Sequence, residues 1–169
     1  MATNILDAKF FKQLTEMSSI TATIKDIENQ FKQFSNALDR LGEAFDNYKN
    51  SHLYSDVPKY EEVFEGLLVQ RFLFTFECCY KTLQNIISYQ GEIIYGHQEV
   101  LEKAYEYQLI DNEKIWLEML KDRNIGIDLY DEPMAKAACK RIETYYPVLV
   151  EQHKKLLAKL ETYNQQEKN

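Results

Sequence analysis

The sequence contains few residues that interrupt a helix. Only 5 glycines and 3 prolines occur among its 169 residues, below the roughly 7% and 5% of average proteins. Because these two residue types set most tight turns, a chain so poor in them rarely changes direction. The composition therefore favours a few long helices, and the length fits one domain.

Cysteine and long apolar runs are also scarce. Cys78, Cys79 and Cys139 form neither an even set nor a C-x-x-C pair, which predicts reduced, buried thiols rather than disulfides or a zinc site. No apolar run approaches the roughly 20 residues that span a bilayer, and residues 1–25 lack the apolar core of a signal peptide. We expect a cytosolic protein.

Positive charge is the third deficit. The chain has 20 basic and 27 acidic residues, a formal net charge of −7, which repels a nucleic-acid backbone over most of the surface. Residues 121–141 differ, because their five basic residues slightly exceed their four acidic ones. Lys136 and Lys140 are four apart on one predicted helix face and could frame an anionic ligand beside Arg123. The alternative is an ordinary solvated helix face.

Apolar residues recur three and four positions apart along most of the chain, which predicts helices packed nearly parallel to one another. Four predicted helices lie within 5–17, near 26–49, from Tyr60 to near Gly91, and around 100–109. A fifth is capped by Asp111 and stops at 124–126. A sixth runs from the N-cap Asp131 to about Tyr163, with a bend at Pro147. We predict an all-α, up-and-down bundle of four or five helices over residues 26–160. An accessory extension of residues 1–25 precedes it, and a frayed tail of residues 161–169 follows.

The helix that begins at Tyr60 is apolar over an unusually wide arc. Phe72 and Phe76 lie on its main stripe, while Leu73, Phe74 and Cys78 extend the apolar surface to either side. A helix of this kind needs covering on more than one side. We therefore predict that it lies at the centre of the bundle, with a dimer interface as a further means of covering it.

Several residue types suggest sites that their spacing does not support. None of His52, His97 and His153 follows a glutamate by three positions, as the di-metal sites of helical bundles require, so we expect no metal, no cofactor and three surface histidines. The glycines of 91–96 have the spacing of a phosphate-binding loop but lack its lysine, so this segment predicts a helix connection. The 12 tyrosines and 9 phenylalanines mostly fall on core stripes. One of Tyr145 and Tyr146 must face away from the other's neighbours, and could be exposed.

Three blocks of the sequence resemble the HEPN-type nucleotidyltransferase substrate-binding proteins, relatives of the HepT-like RNase toxins. They are the helix segment 70–83, the Leu-Ile element within 100–111, and the segment 122–130, which is similar to an Arg-Asn-x-x-x-His-x-Tyr motif. The resemblance spans about residues 26–155. It implies a four- or five-helix bundle, usually a homodimer, that works with a small nucleotidyltransferase encoded beside it. In active relatives the arginine and histidine of the motif, brought together across two subunits, cleave RNA without metal.

The histidine position of that motif holds Asp128 in this chain. RNA cleavage needs a group that exchanges protons near neutrality, which a histidine with its usual pKa of about 6.5 can do and an unperturbed aspartate at about 3.9 cannot. Asp128 would be a weak base at best, and could neutralise Arg123 by pairing with it. Arg123, Asn124 and Tyr130 could still bind a phosphate or carboxylate. Their alternative roles are a helix-ending arginine that bonds the last carbonyls, an asparagine cap and a core tyrosine.

The sequence therefore predicts a non-catalytic, homodimeric partner of a nucleotidyltransferase, a degenerate member of the HepT-like toxin–antitoxin group. Arg123, Asn124, Tyr130, Lys136 and Lys140 are its predicted ligand-binding residues, with a nucleotide or RNA as the local ligand. One alternative is a metal-independent RNase toxin in which Arg123 and Tyr130 bind the scissile phosphate. Another is a helical adaptor with no connection to nucleotides.

Overall fold

The structure is a computed structural model that describes residues 21–54, 59–127 and 129–168. Within these ranges it contains five α-helices: α1, Ile24–Lys49; α2, Lys59–Tyr89; α3, His97–Glu106; α4, Glu113–Ile125; and α5, Glu132–Gln166. A short 3-10 helix, Ser51–Tyr54, follows α1, and the described residues contain no strand. The predicted all-α bundle is confirmed. The predicted helix within 5–17 lies outside the described residues, as does Asp128.

Helix α2 is at the centre of the bundle, as its wide apolar arc predicts. It packs along α1 and also contacts α3 and α5, while α4 contacts α3 and α5. Leu68, Phe72, Phe76 and Leu83 of α2 are fully buried. The outer side of the arc has no cover within the described chain, since 54% of Phe74 remains exposed.

Local sequence signals fix several helix ends. Helix α1 begins with a capping box, in which the Thr23 hydroxyl accepts from the Asp26 backbone N–H and the Asp26 carboxylate accepts from the Thr23 backbone N–H. Two bonds of this kind satisfy N–H groups that the helix start leaves unpaired. Helix α4 ends before Gly126, whose φ of +70° lies in the left-handed region that favours glycine. Helix α5 begins at the predicted N-cap, since the Asp131 carboxylate accepts from the Met134 backbone N–H.

Helix α3 begins and ends about three residues before the predicted segment around 100–109, and two other predicted helix ends also differ from the structure. Asp111 is not the cap of α4, because its carboxylate accepts a hydrogen bond at 2.6 Å from the Nζ of Lys155 on α5, and Asn112 holds the N-cap position. Helix α5 continues to Gln166, beyond the predicted end at Tyr163. The Asn164 amide donates to the Glu28 carboxylate at the start of α1. Contacts with other helices, which local patterns do not reveal, set both ends.

Buried positions confirm the prediction for the cysteines and correct the one for the histidines. Cys78, Cys79 and Cys139 are free and buried, as expected. The prediction of surface histidines is wrong for His153, which stacks on Phe31 at 4.7 Å and bonds the Ser35 hydroxyl at 2.7 Å. Tyr145 and Tyr146 face different neighbours, Phe72 and Phe45, as predicted, and neither is exposed. Tyr145 is 1% exposed, and Tyr146 is half-buried with its ring 5.0 Å from that of Phe45.

Candidate functional site

The arginine of the motif does not end its helix in the expected way. Arg123 lies in the last turn of α4, where an arginine can bond the free carbonyls of the helix end. Its Nε instead donates to Oε1 of Glu77 on α2 at 2.6 Å, and its Nη1 donates to Oδ1 of Asn124 at 3.1 Å. The guanidinium therefore joins α4 to α2, and the Asn124 side chain supports the guanidinium rather than capping the helix.

Glu77 connects the arginine to a histidine that the sequence analysis assigned to the surface. The same Oε1 atom lies 3.4 Å from Nε2 of His97, the first residue of α3. This distance is short enough for an ion pair when His97 is protonated, but the Nε2 atom is buried and makes no hydrogen bond. The prediction of a surface position is thus wrong for His97 as well, because only 29% of its side chain is exposed.

Tyr80 fixes the plane of the histidine ring. It follows Glu77 by three positions on α2, so the two side chains share one helix face. The ring centroids of Tyr80 and His97 are 4.0 Å apart with an interplanar angle of 12°, and the Tyr80 hydroxyl donates to the Tyr95 carbonyl at 3.4 Å. Burial raises the pKa of the Tyr80 hydroxyl, so this group stays protonated and uncharged near neutrality.

A cavity of about 590 Å³ opens beside this cluster, between the start of α3 and the end of α4. We call it the α3–α4 cavity; it is lined by Gly96, His97, Gln98, Glu99, Glu102, Leu120 and Asn124. Its volume lies within the range of about 300–1,000 Å³ that small-molecule sites occupy. The cavity thus brings His97 of one helix and Asn124 of another to a space large enough for a ligand.

The structure separates the remaining predicted residues from this cavity. Tyr130 is fully exposed in the turn before α5, so it is not the core tyrosine of the alternative interpretation. Lys136 donates to Glu132 of the same helix at 2.7 Å, and this bond raises the pKa of Lys136. Lys140 is exposed on α5. No described contact joins either lysine to Arg123, and the proposed set of three cations around one ligand is not assembled in the described part of this chain.

Asp122, which precedes Arg123, holds α4 against α5. It is 8% exposed, and its Oδ2 accepts from Nε of Arg141 at 2.7 Å and from the hydroxyl of Tyr145 at 2.9 Å. Burial and then the bond to Asp122 raise the pKa of Tyr145 well above its usual range. The motif segment is therefore anchored on two sides, by Asp122 toward α5 and by Arg123 toward α2.

Sequence reasoning missed Glu77, Tyr80, His97 and Asp122. Glu77 and Tyr80 lie within the block 70–83 that resembles the family, and their spacing on one face was a usable signal. His97 had none, because it follows an irregular connection and has no ligand-like spacing to another residue. Within the described parts of the chain, no group of three or more His, Cys, Asp or Glu side chains is placed to hold a metal ion.

The fold and this cluster define a class: an all-α bundle with a polar site where three of its helices meet. The sequence pattern described as "Nucleotidyltransferase substrate binding protein like" matches residues 29–161, and the chain belongs to this family. The match includes Glu77, His97 and Arg123. A comparison with curated proteins gives no match.

One solved structure similar to this chain is the crystal structure of a protein from Thermus thermophilus. It is 25% identical, with a TM-score of 0.58, and the alignment covers 75% of this chain and 98% of the other. The likeness supports the bundle fold of the matched region. No helix among the described residues is both long and apolar enough to cross a membrane.

Proposed function

We propose that this protein is a non-catalytic, homodimeric partner of a small nucleotidyltransferase, of the HEPN type and related to HepT-like toxin–antitoxin pairs. It presents the segment from Arg123 to Tyr130 to that enzyme, either as a binding surface or as a substrate site. The observation that carries the proposal is the bond between Arg123 and Glu77. The Glu77 carboxylate pairs with the arginine that would otherwise bind the scissile phosphate of RNA. The net charge of the chain, −7, also repels RNA.

The position of Tyr130 supports the second part of the proposal. Its side chain is fully exposed, and it lies between the end of α4 and the start of α5, next to the N-cap Asp131. A hydroxyl in this position is accessible to the active site of a second protein. A nucleotidyltransferase transfers the nucleotidyl group of a nucleoside triphosphate to such a hydroxyl oxygen and releases pyrophosphate and the hydroxyl proton. Tyr130 is therefore the candidate acceptor if the segment is a substrate site.

The outer face of α2 supports the homodimer. Val63 and Phe74 are 60% and 54% exposed, and partly buried Leu67 lies between them on the same helix. Positions separated by four and seven residues share one side of a helix. These apolar side chains, with the exposed Gln70 between Leu67 and Phe74 on the same side, are suited to contact a second copy of α2.

Complex formation tests the partner. The chain is co-expressed with the nucleotidyltransferase encoded beside it, and the proposal predicts one complex in gel filtration, whereas two independent peaks would contradict it. Light scattering on the isolated chain tests the dimer. A Phe74→Glu variant should be monomeric, and Lys32→Glu, at an exposed position of α1, should leave the dimer intact. A monomeric wild type would refute the dimer.

Labelling separates a substrate site from a binding surface. The complex is incubated with a nucleoside triphosphate labelled at its α-phosphate, and the chain is then examined for covalent label by mass spectrometry. A substrate site predicts label that Tyr130→Phe abolishes and Tyr95→Phe retains, since Tyr95 is also highly exposed at 81%. Absence of label from a stable complex would leave the segment as a binding surface.

One observation favours the RNase alternative. His97 places an imidazole beside the Glu77–Arg123 pair, so the site contains the side-chain type that the motif uses to cleave RNA in active relatives. This alternative predicts growth arrest on expression and RNA cleavage that both His97→Gln and Arg123→Ala abolish. Cleavage that appears only in Asp128→His would instead show that the wild-type site is inactive.

A further inference from the structure

The candidate site contains a buried polar atom that the proposed function does not explain. Nε2 of His97 is inaccessible to solvent and makes no hydrogen bond, although Oε1 of Glu77 lies only 3.4 Å away. Buried polar atoms are nearly always paired, because an unpaired one loses its bonds to water. Nε2 therefore lies next to a carboxylate oxygen with which it makes no hydrogen bond in the described arrangement.

The two possible partners of Glu77 differ by a small movement. Oε1 is bonded to Nε of Arg123 at 2.6 Å, and a shift of about half an ångström toward His97 would bring Oε1 to the usual N–H···O distance of about 2.9 Å. Protonation of His97 places an N–H and a positive charge at Nε2, so the protonated ring competes with Arg123 for the carboxylate. Tyr80 holds the ring in place from one side.

We propose that Arg123 forms a binding site for the phosphoryl group of a small ligand. In the empty protein Glu77 closes this site by pairing with Arg123. When His97 is protonated, it opens the site because it pairs with Glu77 in place of Arg123. An entering dianion binds the guanidinium that Glu77 releases, and Glu77 then neutralises the imidazolium. The ligand occupies the α3–α4 cavity on the side of Asn124, which both lines the cavity and bonds Arg123. The inference depends on this cluster and not on the nucleotidyltransferase partner.

The start of α3 adds a second contribution to anion binding. Its N-cap, Gly96, provides no side-chain hydrogen bond to the first turn, and the cavity is lined by Gly96, His97 and Gln98 of this turn. The unpaired N–H groups and the dipole of a helix start favour an anion. The start of α3 thus lines the cavity directly, and Asn124 connects the cavity to the guanidinium of Arg123.

Other charged groups around His97 limit the affinity. Glu77 and Tyr80 face it from α2 and Arg123 from α4, while Glu99 and Glu102 of its own helix line the cavity. Their two carboxylates repel a dianion, so we expect weak binding when His97 is neutral. Gln98 donates to Glu102 at 2.8 Å and fixes one of the two. Glu99→Gln should therefore raise the affinity at every pH without changing its pH dependence.

Calorimetric titration with sulfate tests the switch, because sulfate remains a dianion from about pH 6 to about pH 8, where histidine changes charge. We expect the wild type to bind sulfate about tenfold more tightly at the lower pH, with uptake of up to one proton seen in buffers of different ionisation enthalpy. His97→Gln should lose this dependence. Glu77→Gln, an isosteric change, should bind more tightly than the wild type at the higher pH, and His52→Gln, at an exposed histidine, should match the wild type.

Three results would overturn the proposal: equal wild-type affinity at both pH values, a pH dependence that survives His97→Gln, or a Glu77→Gln variant that binds no better than the wild type. Sulfate binding in no variant would overturn it as well. Adenosine monophosphate and inorganic phosphate, titrated at the lower pH, identify the source of the phosphoryl group. Tighter binding of the nucleotide assigns the remaining cavity to the nucleoside, and equal binding assigns the site to the phosphoryl group alone. Binding of either confirms the ligand class.

Discussion

A buried glutamate on α2 should make the stability of this protein depend on pH. Glu65 is 3% exposed, and its Oε1 atom has no hydrogen-bond partner among the described residues. Burial raises the pKa of this carboxyl above its ordinary value of 4.5, an effect that Lys136 opposes and Glu61 reinforces. The folded state therefore holds the Glu65 proton more tightly than the unfolded state does.

The sign of the pH dependence follows from this difference. Below the unfolded pKa both states are protonated, and the carboxyl is buried without charge. As the pH rises through the folded pKa, the folded state must either keep a proton that the unfolded state has lost or bury a charge, so Glu65 destabilises the protein. Glu65→Gln removes the charge at every pH. The amide of the variant is as buried and unpaired as the neutral carboxyl, so the substitution removes only the cost of the charge. We expect a gain of stability on the order of 1–2 kcal/mol near pH 8, and a much smaller one near pH 4.

Urea unfolding followed by far-UV circular dichroism measures this gain at each pH. A change of 1 kcal/mol corresponds to roughly 2–4 °C in Tm for a chain of this size. Glu62→Gln is the matched control, because Glu62 is exposed on the same helix, and it should change the free energy of unfolding little at either pH. The reasoning would be refuted if the free energies of unfolding of Glu65→Gln and the wild type differed by the same amount from acid to alkaline pH. It would also be refuted if the wild type became more stable relative to the variant as the pH rises.

Three further predictions concern the scaffold. Asp122→Ala leaves the buried hydroxyl of Tyr145 without its acceptor and should lower the free energy of unfolding by about 1–3 kcal/mol. Tyr145→Phe should lower the free energy of unfolding less in the Asp122→Ala variant than in the wild type. An equal decrease in both would show that the bond contributes nothing. Thr23→Ala removes the capping box of α1 and should cost about 0.5–2 kcal/mol in thermal unfolding, whereas an unchanged Tm would contradict the assigned helix start. Burial raises the pKa of Cys78 and Cys79, and that of Cys139 to about 12. Iodoacetamide near pH 8 should therefore modify none of the three thiols in the native protein and all three in urea. Rapid labelling of the native protein would show that the bundle opens.

The sequence predicted the helices well and their less regular ends poorly. The spacing of Ile27, Phe34 and Leu41 marks the buried face of α1 directly, because only a helix brings positions seven apart to one side. Gly126 and Asp131 were interpreted correctly, since a left-handed glycine and an aspartate N-cap act through their own backbone neighbours. Asp111 was misassigned because its partner, Lys155, is distant in sequence.

The candidate site shows the same division. The motif residues Arg123 and Tyr130 were visible in the sequence, and their resemblance pointed to the family that the match over residues 29–161 then showed. Their partners were not visible, since the contact between Arg123 and Glu77 spans 46 positions. Asp128 lies outside the described residues, so its effect on Arg123 stays a prediction.

An all-α bundle and the family of this protein follow from the sequence alone, because the apolar spacing, the helix caps and the motif are properties of neighbouring residues. The pairing of Glu77 with Arg123, the position of His97 beside this pair and the exposure of Tyr130 depend on how the helices pack. A carboxylate binds whichever cation the packing brings within about 3 Å of it. In this chain that distance depends on how three helices pack together, which the sequence of any one helix does not reveal.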